Sequence, residues 1–71
     1  MNPEQIEQNA KDLARVVIMS FKDEDRVSGW LKNNKTYADT SDRVVDKAIV
    51  IIRKTLQDED FSLSAYKEKH S

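Results

Sequence analysis

The densest hydrophobic segment of the chain lies between residues 40 and 56, and its pattern predicts an amphipathic helix. Projected at 100° per residue, its apolar side chains share an arc of about 160°: Val44, Val45, Ala48, Ile49, Ile51, Ile52 and Leu56. Charged residues occupy the opposite side. A buried β-strand over residues 48–52 is the alternative, because this run is rich in β-branched side chains. The helical spacing of the charges and the lack of a convincing partner strand favour the helix.

A second amphipathic helix is predicted over residues 3–22. Asn2 is suited to cap its start, and Pro3 is suited to its first position. Its apolar positions share an arc of about 140°: Ile6, Ala10, Leu13, Ala14, Val17, Ile18 and Phe21. Val16 and Met19 lie outside this stripe. They are either isolated surface residues or a contact to another helix or subunit.

The segment between these helices is less regular. Residues 24–32 favour a short helix, although Gly29 weakens it by about 1 kcal/mol relative to alanine. The polar segment 32–40 is typical of a connector. At its end, Asp39 or Thr40 is expected to cap the central helix.

Together these segments predict an all-α protein, a small helical bundle of two long helices (about 3–22 and 40–56) plus one or two short helices. A single domain is expected over residues 1–71, with a frayed C-terminal end near 68–71. We expect the long helices to pack approximately antiparallel through their apolar faces. Those faces are broad for one two-helix contact, and small chains bury little surface. We therefore expect a homodimer that completes the core.

An internal repeat is a further hypothesis. With an offset of 35 residues, segment 16–25 aligns with segment 51–60, and each ends in an Asp-Glu-Asp triplet. A duplication of this kind would produce two helix–turn–helix units in a pseudo-symmetric four-helix arrangement. Beyond the triplets the two segments share few identities, so the repeat stays a hypothesis.

Composition narrows the chemistry. The 71 residues include no cysteine and one histidine, which argues against a disulfide framework and against cysteine- or histidine-ligated metal centres. Twelve basic and thirteen acidic residues nearly cancel, so the chain lacks the overall basic character of most nucleic-acid binders. No signal peptide and no membrane span are recognisable. We therefore expect a cytoplasmic protein without a membrane association.

Motifs for catalysis or metal binding are not evident. Neither acidic triplet continues with the glycine and glutamate that an EF-hand loop requires. A chain with one glycine has no glycine-rich phosphate loop, and His70 near the C-terminus has no group to hold it as a base. We expect no enzymatic activity, no cofactor, no metal and no small-molecule substrate.

The remaining candidates point to binding of another protein. Trp30, Tyr37 and Tyr66 are too few and too widely spaced for a base-stacking platform, whereas exposed Trp and Tyr commonly anchor protein interfaces. Val50 projects from the charged side of the central helix, either as an isolated surface residue or as a partner contact. These four residues are the predicted partner-binding positions. The predicted function is a small non-enzymatic protein-interaction module: an adaptor, inhibitor or regulatory subunit.

A dimeric helix-turn-helix-like nucleic-acid-associated regulator is the alternative. Residues 24–56 have the outline of a short helix, a turn and a longer helix. The connector is longer than usual, however, and Asp42 and Asp46 would repel phosphate at the start of the second helix. A small basic edge is available from Lys32, Lys35, Arg43 and Lys47. The protein-binding prediction is therefore preferred.

Overall fold

Four helices make up the described part of the protein. The computed structural model describes residues 2–33 and 42–71. Within these ranges the helices are α1 (Pro3–Ser20), α2 (Glu24–Asn33), α3 (Arg43–Gln57) and α4 (Leu63–His70). The predicted all-α class and small helical bundle are confirmed. Residues 48–52, the possible strand, lie inside α3.

The residues on either side of α1, Asn2 and Phe21, define its two ends. The Asn2 side chain accepts a hydrogen bond from the backbone N–H of Gln5 at 2.7 Å, which caps the first turn as predicted. The helix ends at Ser20, two residues before the predicted end, because Phe21 adopts an extended backbone. Asp23 then accepts a hydrogen bond from the N–H of Arg26 at 3.0 Å and opens α2.

Asp42 caps α3. Its carboxylate accepts hydrogen bonds from the backbone N–H groups of Val44 at 2.9 Å and Val45 at 3.3 Å. The first helical residue is therefore Arg43, later than the start near residue 40 that the pattern predicts. The predicted caps at 39–40 lie outside the described residues.

The start of α4 is tied to the start of α2. The backbone N–H of Leu63 donates to the Glu24 carboxylate at 2.8 Å, across 39 positions of sequence. In the last turn, which includes residues 68–70, Nδ1 of His70 donates to the carbonyl oxygen of Tyr66 at 2.9 Å. Helix α4 is thus the second of the one or two short helices that the sequence predicts.

All four helices contribute to one core. Its buried members are Ala14, Ile18, Val27, Ile52, Leu56 and Leu63. Ala10 and Ala48 are also buried, at 0% and 2% exposure. Alanines at these positions bring the backbones of α1 and α3 close together, so this pair forms the most extensive helix contact in the described chain.

The shared core also fixes the relative direction of α1 and α3. It combines Ala14 and Ile18, from the C-terminal half of α1, with Ile52 and Leu56, from the C-terminal half of α3. An antiparallel pair would place the end of α1 against the start of α3. The two helices therefore run in the same direction, and the antiparallel prediction is wrong. This arrangement is possible because α2 carries the chain back by about 15 Å before α3 begins.

The short helices lie on different sides of α3. Arg53 contacts Trp30 of α2, whereas Ile51 lines a groove with Tyr66 of α4. Residues two positions apart on a helix point in nearly opposite directions, about 200° apart. The two short helices therefore pack on different sides of α3, and their first turns meet where Leu63 hydrogen-bonds to Glu24.

The buried apolar positions of α1 and α3 do not correspond at the 35-residue offset of the proposed repeat. Asp23 caps α2, whereas the Asp58 carboxylate accepts a hydrogen bond from the N–H of Asp60 at 2.9 Å in the turn after α3. The two acidic triplets therefore have different structural roles. Equivalent core positions are instead 38 residues apart: Ala10 and Ala48, Ala14 and Ile52, Ile18 and Leu56.

Removal of the α3 cap tests the start of this helix. Asp42→Ala should lower the free energy of unfolding by about 1 kcal/mol, because two backbone N–H groups lose their acceptor. Chemical denaturation followed by circular dichroism measures the change. Asp42→Asn is the matched control and should retain most of the stability. Equal stability of Asp42→Ala and wild type would contradict this capping role.

Candidate functional site

The structure separates the predicted partner-binding residues. Trp30 lies on α2, Val50 on α3 and Tyr66 on α4, and all three are half-buried. Trp30 and Tyr66 both pack against the common core, but from helices on different sides of α3. Tyr37 lies outside the described residues. The described candidates therefore lie on three different helices.

Trp30 has a charged partner that the sequence pattern does not reveal. The guanidinium carbon of Arg53 lies 5.6 Å from the centre of the Trp30 ring, which is cation–π geometry. Arg53 is 9% exposed, although the pattern assigns it to the charged side of α3. Its position next to Ile52 and one turn after Ile49 is the signal that could have placed it at the edge of the apolar arc.

An open groove of about 620 Å³ lies between the end of α1 and one side of α2. We call it the Trp30 groove, and its lining is Ser20, Phe21, Lys22, Asp25, Arg26, Gly29, Trp30 and Asn33. A side chain at Gly29 would begin in open space, since a Cβ there meets nothing within 4 Å. Aromatic and arginine side chains beside an open recess are typical of binding hot spots.

Val16 projects into solvent next to this groove. At 60% exposure it is the large apolar side chain that residues 2–33 and 42–71 leave exposed. It lies one helical turn before Ser20, which lines the Trp30 groove. The sequence pattern places Val16 outside the apolar stripe of α1, and the structure places its side chain at the surface.

The solvent side of α3 presents a basic face, defined here by Arg43, Lys47, Val50 and Lys54. These four residues fall within an arc of about 60° and span about 16 Å along the helix. The three cations are exposed and Val50 is half-buried between them. Asp46 lies about 40° outside this arc, on the side of Val50, so no acidic residue of α3 falls within it. The face thus combines positive charge with an apolar centre.

Tyr66 lines a groove of about 330 Å³ between α1, α3 and α4. Its ring stacks on His70, with centroids 4.0 Å apart and an interplanar angle of 24°. Burial raises the pKa of the Tyr66 hydroxyl above its usual 10.0, and the charge of Arg15 lowers it in part. Tyr66 therefore stays protonated at neutral pH, and its ring packs against the core and His70.

The described residues contain neither a metal-binding cluster nor a membrane-spanning helix. Over residues 2–33 and 42–71, no three His, Asp or Glu side chains are grouped so that they could hold a metal ion. No helix in these ranges is both long and apolar enough to cross a bilayer. Besides the two grooves and the basic face, the described chain has a recess of about 350 Å³ at the end of α3, lined by Lys54, Thr55, Asp58, Asp60 and Phe61.

No family model, no curated protein and no solved structure matches the chain. Function is therefore argued from the surfaces themselves.

Alkaline pH tests the environment of Tyr66. Because its pKa is raised on folding, the unfolded chain loses this proton first as the pH increases. The stabilisation is complete below pH 10.0 and is lost as the pH rises through the folded pKa. Denaturation between about pH 9 and 11 should show stability falling more steeply in wild type than in Tyr66→Phe. Equal slopes in the two proteins would contradict the raised pKa.

Proposed function

We propose that this protein is a small non-enzymatic interaction module that acts by binding another protein. The observation that carries the proposal is the basic face of α3. It presents three exposed cations around the half-buried Val50, and it lies outside the shared core. An adaptor, inhibitor or regulatory subunit would use such a face to bind a target.

The chemistry of the basic face favours an acidic partner. Opposite charge around an apolar contact is the usual arrangement of a transient interface, in which the charges steer association and the centre loses water. Arg43, Lys47 and Lys54 would meet carboxylates, while Val50 would meet an apolar side chain. The whole sequence has a net charge of only −1, so the three cations of the basic face form a local positive surface on a nearly neutral chain.

A nucleic-acid partner is less well supported by the same face. Phosphate-dominated binding usually involves many cationic contacts along a backbone, whereas this face offers three over about 16 Å. Asp42 occupies the N-cap of α3, where a recognition helix would approach phosphate. The carboxylate of Asp42 would oppose that approach. A protein carboxylate surface is the simpler match.

Charge reversal on the basic face tests the proposed function. The full chain, as wild type, Lys47→Glu or Lys54→Glu, serves as bait in extracts of the native host. Lys69→Glu is the matched control, because Lys69 is an exposed residue of α4 and is not part of the basic face. We expect an acidic protein that binds wild type and the control but is lost from both α3 variants. Titration of that purified protein should show at least about ten-fold weaker binding to either variant.

Two results would contradict the proposal. One is capture that does not change when Lys47 and Lys54 are reversed. The other is retention of nucleic acid that nuclease removes and that weakens steeply as salt rises, which would support the nucleic-acid alternative.

A further inference from the structure

Val16 and the Trp30 groove are an exposed apolar side chain and an open recess on neighbouring parts of one surface. Val16 is 60% exposed, and the groove begins one turn later on the same helix. We propose that two copies of the chain form a symmetric dimer in which Val16 of each copy enters the Trp30 groove of the other. This interface is separate from the basic face, so the inference does not depend on the proposed function.

Val16 and the Trp30 groove lie so that one twofold axis can pair the valine of each copy with the groove of the other. A twofold axis near residue 18 would cross two α1 helices in an antiparallel manner, and would bring Val16 of one copy to Ser20 and Phe21 of the second. Ser20 and Gly29 are small, so the helices can approach closely there. The ring of Trp30 would form one wall around the inserted Val16.

Charge complementarity supports the same pairing. Asp12 lies one turn before Val16, on the side that would extend over the rim of the opposite groove. That rim includes Lys22 and Arg26, together with Asp25, and so has a net positive charge. Asp12 is 3.9 Å from Arg15 within its own helix, in a pair whose side chains are about half exposed. Such a surface pair is weak and can rearrange on association.

A second copy accounts for both features at once. In the symmetric arrangement each copy contributes one Val16 and one groove, so both exposed valines are buried and both grooves are filled. A partner inserted into the groove alone would leave Val16 in water. Small chains with a limited core commonly gain stability from association of this kind.

Sedimentation equilibrium of the full chain between about 1 and 100 μM tests the dimer. We expect wild type to sediment as a dimer. Val16→Glu should raise the dimer dissociation constant at least about ten-fold, because the interface would bury an unpaired carboxylate. Ser64→Glu is the matched control: it adds the same charge at an exposed position of α4 and should leave the constant unchanged.

Gly29→Gln tests the groove from the other side. The added side chain starts in open space, and glutamine is a better helix former than glycine, so the fold should be retained. The side chain would occupy the space that Val16 enters, and the dissociation constant should again rise. Circular dichroism checks that both variants are folded, and Gly29→Gln decides the question if Val16→Glu is not.

Three outcomes would overturn the inference. Wild type that is monomeric over the whole range would exclude the dimer. A dimer unaffected by both Val16→Glu and Gly29→Gln would place the interface elsewhere. An assembly larger than a dimer would exclude the closed twofold arrangement.

Discussion

The close packing of α1 against α3 is the contact on which the rest of the structure depends. Buried alanines at positions 10, 14 and 48 let the two backbones approach along their length. Because α1 and α3 run in the same direction, a tight turn cannot connect them. A short helix follows each of them and runs back along the bundle. The short helices then pack on different sides of α3, and their first turns meet at the hydrogen bond between Leu63 and Glu24. The remaining side of α3, with Arg43, Lys47 and Lys54, faces solvent.

Two surfaces result from this arrangement, and they differ in chemistry. The basic face of α3 combines cations with Val50, which suits a carboxylate-bearing partner. Val16 is an exposed apolar side chain, and the Trp30 groove near the end of α1 is a recess with both aromatic and charged walls, a combination that suits a second copy. Since the two surfaces involve different helices, a dimer would present two basic faces. Such a dimer would bind a repeated or multivalent acidic target more tightly than a monomer would.

Much of the local structure could be predicted from the sequence, whereas the contacts between helices could not. Asn2 and the apolar spacing identify α1 because caps and faces depend on residues within one or two turns. Periodicity shows which face of a helix is buried, but both directions of packing bury the same face, so the parallel pair was missed. Arg53 was misassigned because its long side chain reaches Trp30 from the edge of the polar side. The spacing places Val50 among the cations of α3, whereas the groove beside Trp30 exists only after α1 and α2 are assembled.

Paramagnetic relaxation enhancement from a single spin label tests the parallel packing most directly. The chain has no cysteine, so Glu4→Cys provides one labelling site in the exposed first turn of α1. Dilution into unlabelled protein removes effects between copies. Since α3 is about 22 Å long, its two ends differ clearly in distance from the label. The account predicts strong broadening of the Val44 and Val45 amides and weak broadening of Thr55 and Leu56. The reverse pattern would contradict it.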